Sequence, residues 1–86
     1  PGISQWMREL DQDGDVQEVE VASTEHAGKT VAELTDELPD GCHLALVSRD
    51  GANRLPHPDD QIEIGDRLTF IGRSEAVREA ISYCSG

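Results

Sequence analysis

Among the side chains of types that ligate metal ions, we consider six as candidates for a metal site: His26, Cys42, His43, His57, Asp59 and Asp60. Cys42 and His43 are neighbours in an apolar run that reads as a strand, so their side chains point to opposite faces of a sheet and are badly placed to share one ion. The sequence contains no C-x-x-C and no H-x-x-x-H spacing. We therefore predict no metal site, and no other motif implies a cofactor.

The triplet Gly28-Lys29-Thr30 matches the last three positions of a phosphate-binding loop. The complete motif requires a further glycine five residues before Gly28, where this chain has Ser23. Without that glycine the loop cannot wrap a phosphate in backbone N–H groups. We interpret Gly28 as a turn residue, Lys29 as an exposed side chain and Thr30 as a helix cap.

Acidic residues at alternate positions in the segment DQDGD, at 11–15, are similar to the start of a calcium-binding loop. That loop needs glycine at its sixth position and glutamate at its twelfth, where this chain has Val16 and Ala22. We therefore predict no calcium site in this segment.

Acid–base or hydrolytic catalysis would need a nucleophile beside a base, or two carboxylates at a working separation. Nearly all the acids fall on predicted outer faces or in turns, so we predict that the protein is not an enzyme.

Arg49 is unusual because it ends an otherwise apolar strand, next to the Asp50-Gly51 turn. Charged side chains are seldom buried in such places without a partner. One interpretation is that Arg49 reaches solvent or pairs with Asp50 or another acid. The other is that Arg49, with Asn53 across a hairpin and with His43, contacts an anionic ligand. The residues alone leave both interpretations open.

The charge of the chain is strongly negative, with 18 acidic and 7 basic residues and a formal net charge of −11. Binding to nucleic acid through phosphates needs a basic face, so we predict no nucleic-acid partner. Lys29 is the only lysine, and a surface rich in acids with almost no lysine is typical of proteins that work at high salt. We expect a halophilic archaeal source, with an acidic partner-binding face as the alternative.

Cys42 and Cys84 are too few for a disulfide framework, and we expect two reduced thiols in a cytoplasmic protein. No apolar run is long enough to cross a bilayer, so we predict no direct insertion into a membrane. The chain begins at Pro1 and reads as a piece of a longer polypeptide.

Hydrophobic periodicity divides the chain into an N-terminal connector at 1–15 and one α+β domain at 16–86. In the connector, apolar residues at helical spacing predict either a short amphipathic stretch or a frayed segment: Ile3, Trp6, Met7 and Leu10. In the domain we predict strands at 16–23, 42–49, 53–56 and 67–72 and an optional strand at 62–64. Helices begin at the Thr30-x-x-Glu33 capping box, ending before Pro39, and at Ser74. The order is β-α-β-β-(β)-β-α, a small sheet of four to five strands with two helices.

Five segments in this order resemble the TrkA-C domain, the C-terminal module of regulators of potassium conductance. They are VEV at 19–21, AGKTVAEL at 27–34, LALVSRDG at 44–51, Pro56 and IGDRL at 64–68. The resemblance covers the chain from about Val16 to Ser85. It implies a cytoplasmic regulatory domain of a potassium channel, uptake system, antiporter or related transporter.

The resemblance further implies a homodimer, and some relatives bind a small anionic effector such as cyclic di-AMP at the dimer interface. By match with that site, the candidate ligand-binding residues are His43, Leu44, Arg49 and Asn53. The nucleotide-binding partner domain with a G-x-G-x-x-G loop is not in this sequence, so NAD or ATP binding is not assigned to it. Effector binding would act on a transport domain through the connector around 6–10. A structural dimerisation module without a small ligand is the alternative.

Overall fold

The computed structural model describes residues 14–85, which form one antiparallel sheet with two helices. The connector residues 1–13, including the predicted amphipathic stretch, lie outside the described residues. Element order is as follows: β1 (Gly14–Glu20), α1 (Val31–Asp36), β2 (Cys42–Arg49), β3 (Ala52–Arg54), β4 (Arg67–Arg73) and α2 (Ser74–Ser85). The predicted α+β class and order are confirmed, with four strands.

The strands lie in the order β1-β4-β2-β3, so the last strand of the chain is inserted between the first two. Opposed residues share a face of the sheet, and Leu44 lies opposite Phe70 while Val47 lies opposite Leu68. We call this the inner face, because α2 packs on it with its buried residues Val77 and Ala80, among others. The opposite side is called the outer face below.

The core is built from aliphatic residues around a single aromatic ring, Phe70, which is fully buried. Short α1 contributes Val31 and Leu34 to the same cluster. The amphipathic pattern predicted for α1 is confirmed together with its capping box, because Thr30 accepts from the Glu33 backbone and the Glu33 side chain accepts from the Thr30 backbone. Among the helices described here, neither is long and apolar enough to span a membrane.

The β2–β3 hairpin is made by the two-residue turn Asp50-Gly51, which the sequence predicts. Both residues have positive φ, 53° and 82°, as a type I′ turn requires. The turn pairs Arg49 with Ala52 and Val47 with Arg54. β3 then ends at Arg54, before the predicted boundary at Pro56, so it covers only the last three residues of β2.

The optional strand at 62–64 does not form. Ile62 is buried, but its backbone N–H and C=O bond to Lys29 and Gly28 in the loop before α1. Gln61 forms only an isolated bridge with Thr30. The alternating pattern at 62–64 therefore does not mark a strand. Ile62 is buried in the core, whereas Ile64 is exposed.

Gly72 marks a close crossing of backbone between β4 and the turn before β2. Its φ is 151°, and a Cβ at this position would collide with the carbonyl oxygen of Gly41. The neighbouring Arg73 N–H donates to that same carbonyl at 2.9 Å. Glycine is therefore needed here so that β2 and β4 can enter the sheet side by side.

Candidate functional site

Arg49 ends β2 on the inner side of the sheet and reaches the loop that precedes β4. Its Nε donates to Asp66 Oδ1 and its Nη2 to Asp66 Oδ2, each at 2.8 Å. The Nη2 group also donates to the Gln61 carbonyl at 3.0 Å, and Nη1 pairs with Glu63 Oε2 at 2.8 Å. All three nitrogens of the guanidinium are therefore bonded within the chain.

Asp66 is the buried half of this pair, with only 1% of its side chain exposed. Besides Arg49, it accepts a hydrogen bond from the backbone N–H of Glu63 at 2.9 Å. The Arg49 guanidinium lowers the pKa of Asp66 and outweighs the opposing effect of burial. The partner of Arg49 is thus a distant acid rather than the adjacent Asp50, and no local sequence pattern identifies which acid it would be.

The four candidate ligand-binding residues fall into two groups, at the two ends of β2. His43 is exposed near the start of the strand, while Leu44 beside it is buried and belongs to the core. Arg49 and the exposed Asn53 lie at the hairpin end. Six residues of strand span about 20 Å, so in one chain the two groups do not converge on one point.

A groove of about 480 Å³ opens at the His43 end of β2, between that strand and α1. His43 and Leu44 both line it. Pro56 and Pro58, in the chain that leaves β3, form part of the opposite wall. Two of the four predicted residues therefore border a concavity.

The outer face of the sheet is the second feature available for binding. Its side chains include Val16, Leu46, Ser48, Thr69 and Ile71, as the strand register shows. None of the outer-face residues within the described strands is fully buried. Both helices give their buried side chains to the core on the inner side, so neither helix of the described part of the chain covers this face.

A comparison with known protein families gives one match, the TrkA-C domain, over residues 16–85. The chain belongs to the TrkA-C domain family. The matched residues include β1 from Val16 onward, the other three strands, both helices and the Arg49–Asp66 pair. The sequence-based recognition of the family is confirmed.

One relative of this TrkA-C domain is an uncharacterized transporter from Symbiobacterium thermophilum, which is 33% identical over 82 residues. The alignment covers 94% of this chain and 15% of the relative, so the chain spans a small part of that protein. This relative comes from a bacterium, and the comparisons do not support the expected halophilic archaeal source.

Two solved structures resemble the TrkA-C domain in fold. The RCK C domain of the potassium transport protein KtrA, in complex with cyclic di-AMP, has a TM-score of 0.73 at 20% identity and covers 95% of both chains. The RCK_C domain dimer of Streptococcus agalactiae BusR, also in complex with c-di-AMP, has a TM-score of 0.67 at 27% identity. That match covers 79% of this chain and 92% of the BusR chain.

A polar cluster that sequence reasoning missed joins the two helices of this TrkA-C domain. Lys29 Nζ pairs with Glu37 at 2.7 Å, and the Tyr83 hydroxyl donates to the same carboxylate at 2.9 Å. His26, only 2% exposed, bonds through Nε2 to the Tyr83 carbonyl at 2.8 Å. Lys29 is therefore partly buried and paired, not exposed as predicted. Hydrogen bonding to Lys29 lowers the pKa of Glu37.

The two cysteines of the TrkA-C domain, Cys42 and Cys84, are free thiols buried in the core. Burial raises the pKa of Cys84 to about 11 and also raises that of Cys42, so both are poor nucleophiles at neutral pH. Within residues 14–85 no group of three or more metal-ligating side chains comes together.

Proposed function

We propose that this chain is a dimerising, ligand-sensing regulatory domain of a potassium or other cation transport protein, located in the cytoplasm at the membrane face of that protein. Membership of the TrkA-C family and the likeness to RCK_C domains of transport regulators support this role. The small fraction of the transporter relative that the chain covers fits a module within a larger polypeptide. The domain would act by binding and movement, without catalysis.

The observation that carries the proposal is the open outer face of the sheet. Val16 on this face is 55% exposed, and Leu46, Thr69 and Ile71 are only partly buried. A second copy of the chain placed on this face would bury these apolar groups from water. The same patch on both copies is what a two-fold dimer requires.

The proposed effector site uses His43, Leu44, Arg49 and Asn53 from both copies. A two-fold axis reverses the direction of β2, so the His43 end of one copy can lie near the Asn53 end of the other. His43 and Asn53 offer exposed polar groups on the outer side of the hairpin. Arg49 could contribute by exchanging its exposed partner Glu63 for the effector while it stays bonded to Asp66, because about a third of its side chain is exposed.

The BusR RCK_C dimer, at 27% identity, was solved with c-di-AMP, which makes this dianionic dinucleotide the first effector to test. Binding across the dimer would favour one relative arrangement of the two copies. The predicted connector at 1–15 ends inside the sheet, because Gly14 and Asp15 belong to β1. The part that precedes β1 would pass the change to the transport domain. An effector can do so only to the extent that its affinity differs between the arrangements.

The alternative is a structural dimerisation module that holds a larger assembly together without a small ligand. The same open outer face favours it, and the bonded state of Arg49 is consistent with a purely structural arginine. The two functions differ in one respect that can be measured, because only a ligand-sensing domain is stabilised by a ligand.

Sedimentation equilibrium on the isolated chain tests the dimer, and a thermal-shift screen against nucleotides and cations tests the ligand. We expect a dimer whose melting temperature rises with c-di-AMP. Leu46→Glu on the outer face should give a folded monomer, whereas the control Ile64→Glu should stay dimeric, since Ile64 is 53% exposed in a loop. A stable dimer with no response in the screen would favour the structural module. A monomeric wild type would contradict both functions.

A further inference from the structure

The groove at the His43 end of β2 has an apolar floor. Val31 and Leu34 face the core from α1, and Val31 also lines the groove with Leu38 and Leu44. β3 pairs only with Val47–Arg49, so residues 42–46 have no strand beside them on the side away from β4 in the part of the chain described. The groove therefore lies between α1 and the unpaired edge of β2, and it is wide enough for a few side chains.

The rim of this groove is acidic. Asp36 and Asp40 both line it and are both exposed. Neither forms an ion pair with any residue of the described range, and no lysine or arginine lines the groove. By contrast Lys29, Arg49, Arg54 and Arg67 are all paired with acids elsewhere. Asp40 also lines a neighbouring pocket together with Arg73, although no ion pair joins them. Both rim carboxylates can therefore bind a cation from outside.

Local stability does not account for Asp36. It is the last residue of α1, and a negative charge at the carboxyl end of a helix opposes the helix dipole. The last turn of α1 contains no basic residue to compensate for it. The position of this exposed carboxylate is therefore not explained by the stability of its own helix, and it lies beside the apolar floor.

We propose that this groove docks a basic, apolar segment of the transport polypeptide. The proposal rests on the proposed function, since it requires a transport domain in the same protein or complex. The cytoplasmic loops of membrane proteins carry an excess of lysine and arginine, and the formal net charge of this chain is −11. Lysine or arginine side chains would pair with Asp36 and Asp40, while neighbouring apolar side chains cover the partly buried Leu38 and Pro39. The same negative charge disfavours an anionic lipid surface as the occupant.

Fluorescence anisotropy with a labelled amphipathic Leu/Lys peptide measures this docking on the isolated chain. At low salt we expect the Asp36→Asn/Asp40→Asn variant to bind about fivefold more weakly than wild type, because two exposed charge pairs are lost. The control Glu25→Gln/Asp50→Asn removes the same charge from exposed positions outside the groove and should keep the wild-type affinity. A Ser/Lys peptide of equal charge should bind more weakly than the Leu/Lys peptide, because it cannot fill the apolar floor.

If both double variants bind the Leu/Lys peptide equally weakly, the peptide is attracted only by the net charge of the chain, and the proposal is overturned. Equal binding of the Ser/Lys and Leu/Lys peptides, or no binding at all, would do the same. A peptide array that tiles the cytoplasmic loops of the parent transporter should give its strongest signal at a segment that combines basic and apolar residues. If the peptides do not bind in the groove but c-di-AMP still raises the melting temperature, the docking proposal is wrong and the proposed effector function is unaffected.

Discussion

Arg49 and Asp66 form a bidentate ion pair, with Nε and Nη2 each 2.8 Å from a different carboxylate oxygen. The pair joins the end of β2 to the loop before β4, and it holds the 61–66 segment against the sheet through the Gln61 carbonyl and the Glu63 N–H. Arg49, which the family resemblance implies for ligand binding, therefore also stabilises the fold.

Asp66→Asn should destabilise the domain by about 3 kcal/mol, because it leaves the Arg49 guanidinium without its buried counter-charge. Urea unfolding measures the change. The matched control is Glu63→Gln, which removes the exposed partner of the same arginine and should cost less than about 1 kcal/mol. Similar losses in the two variants would show that burial of Asp66 is not what makes the pair strong.

The stability of the domain should fall in acid partly through Asp66. Its pKa in the folded protein lies below the ordinary aspartate value of about 3.9. Its contribution is therefore complete above about pH 4 and is lost as pH falls through the lowered pKa. The difference in unfolding free energy between wild type and Asp66→Asn should shrink as the pH is lowered from about 6 to about 2. A difference that does not change with pH would contradict the ion-pair account.

Much of the fold could be predicted from local signals. The Asp50-Gly51 turn fixed the hairpin because both residues tolerate positive φ, and Thr30 with Glu33 marked the start of α1. The partner of Arg49 could not be predicted, because Asp66 is distant in sequence and reads as a turn residue after Gly65. The predicted strand at 62–64 was wrong for a similar reason, since the backbone of Ile62 bonds to a loop that only the tertiary structure brings beside it.

The four candidate ligand-binding residues remain a prediction, and their surroundings could be predicted less completely than the fold. His43 and Leu44 were expected to act with Arg49 and Asn53, yet the structure separates the two pairs along β2. The acidic groove depends on β3 being short and on where α1 ends, neither of which the sequence pattern defines. The Lys29, Glu37 and Tyr83 cluster likewise needs the packing of both helices, so no local motif reveals it.

Gly72→Ala should destabilise the domain by about 3 kcal/mol, because its Cβ would collide with the Gly41 carbonyl and its φ is unfavourable for alanine. Gly65→Ala is the matched control, with positive φ but no atom within 4 Å of the added Cβ. It should cost about 1 to 2 kcal/mol. Chemical denaturation of both variants measures the difference, and equal losses would mean that backbone conformation alone, not the close crossing, sets the requirement.

Salt should stabilise the chain, because its formal net charge of −11 makes the folded state repel itself. The free energy of unfolding should rise with KCl as the repulsion is screened, most steeply below about 0.1 M, where the Debye length exceeds about 10 Å. Thermal unfolding in a KCl series, with sucrose as an uncharged additive for comparison, measures this. A free energy of unfolding that does not change with KCl would show that self-repulsion does not limit the stability of the fold.

The most direct test of ligand sensing by this TrkA-C domain is isothermal titration calorimetry of the isolated chain with c-di-AMP. We expect one ligand bound per two chains, since c-di-AMP has two identical halves and one molecule on the two-fold axis would contact both copies alike. The variants His43→Ala and Asn53→Ala should each bind about tenfold more weakly, as expected for the loss of one charge-assisted hydrogen bond. Absence of any binding heat from a chain that sedimentation shows to be a folded dimer would contradict the account.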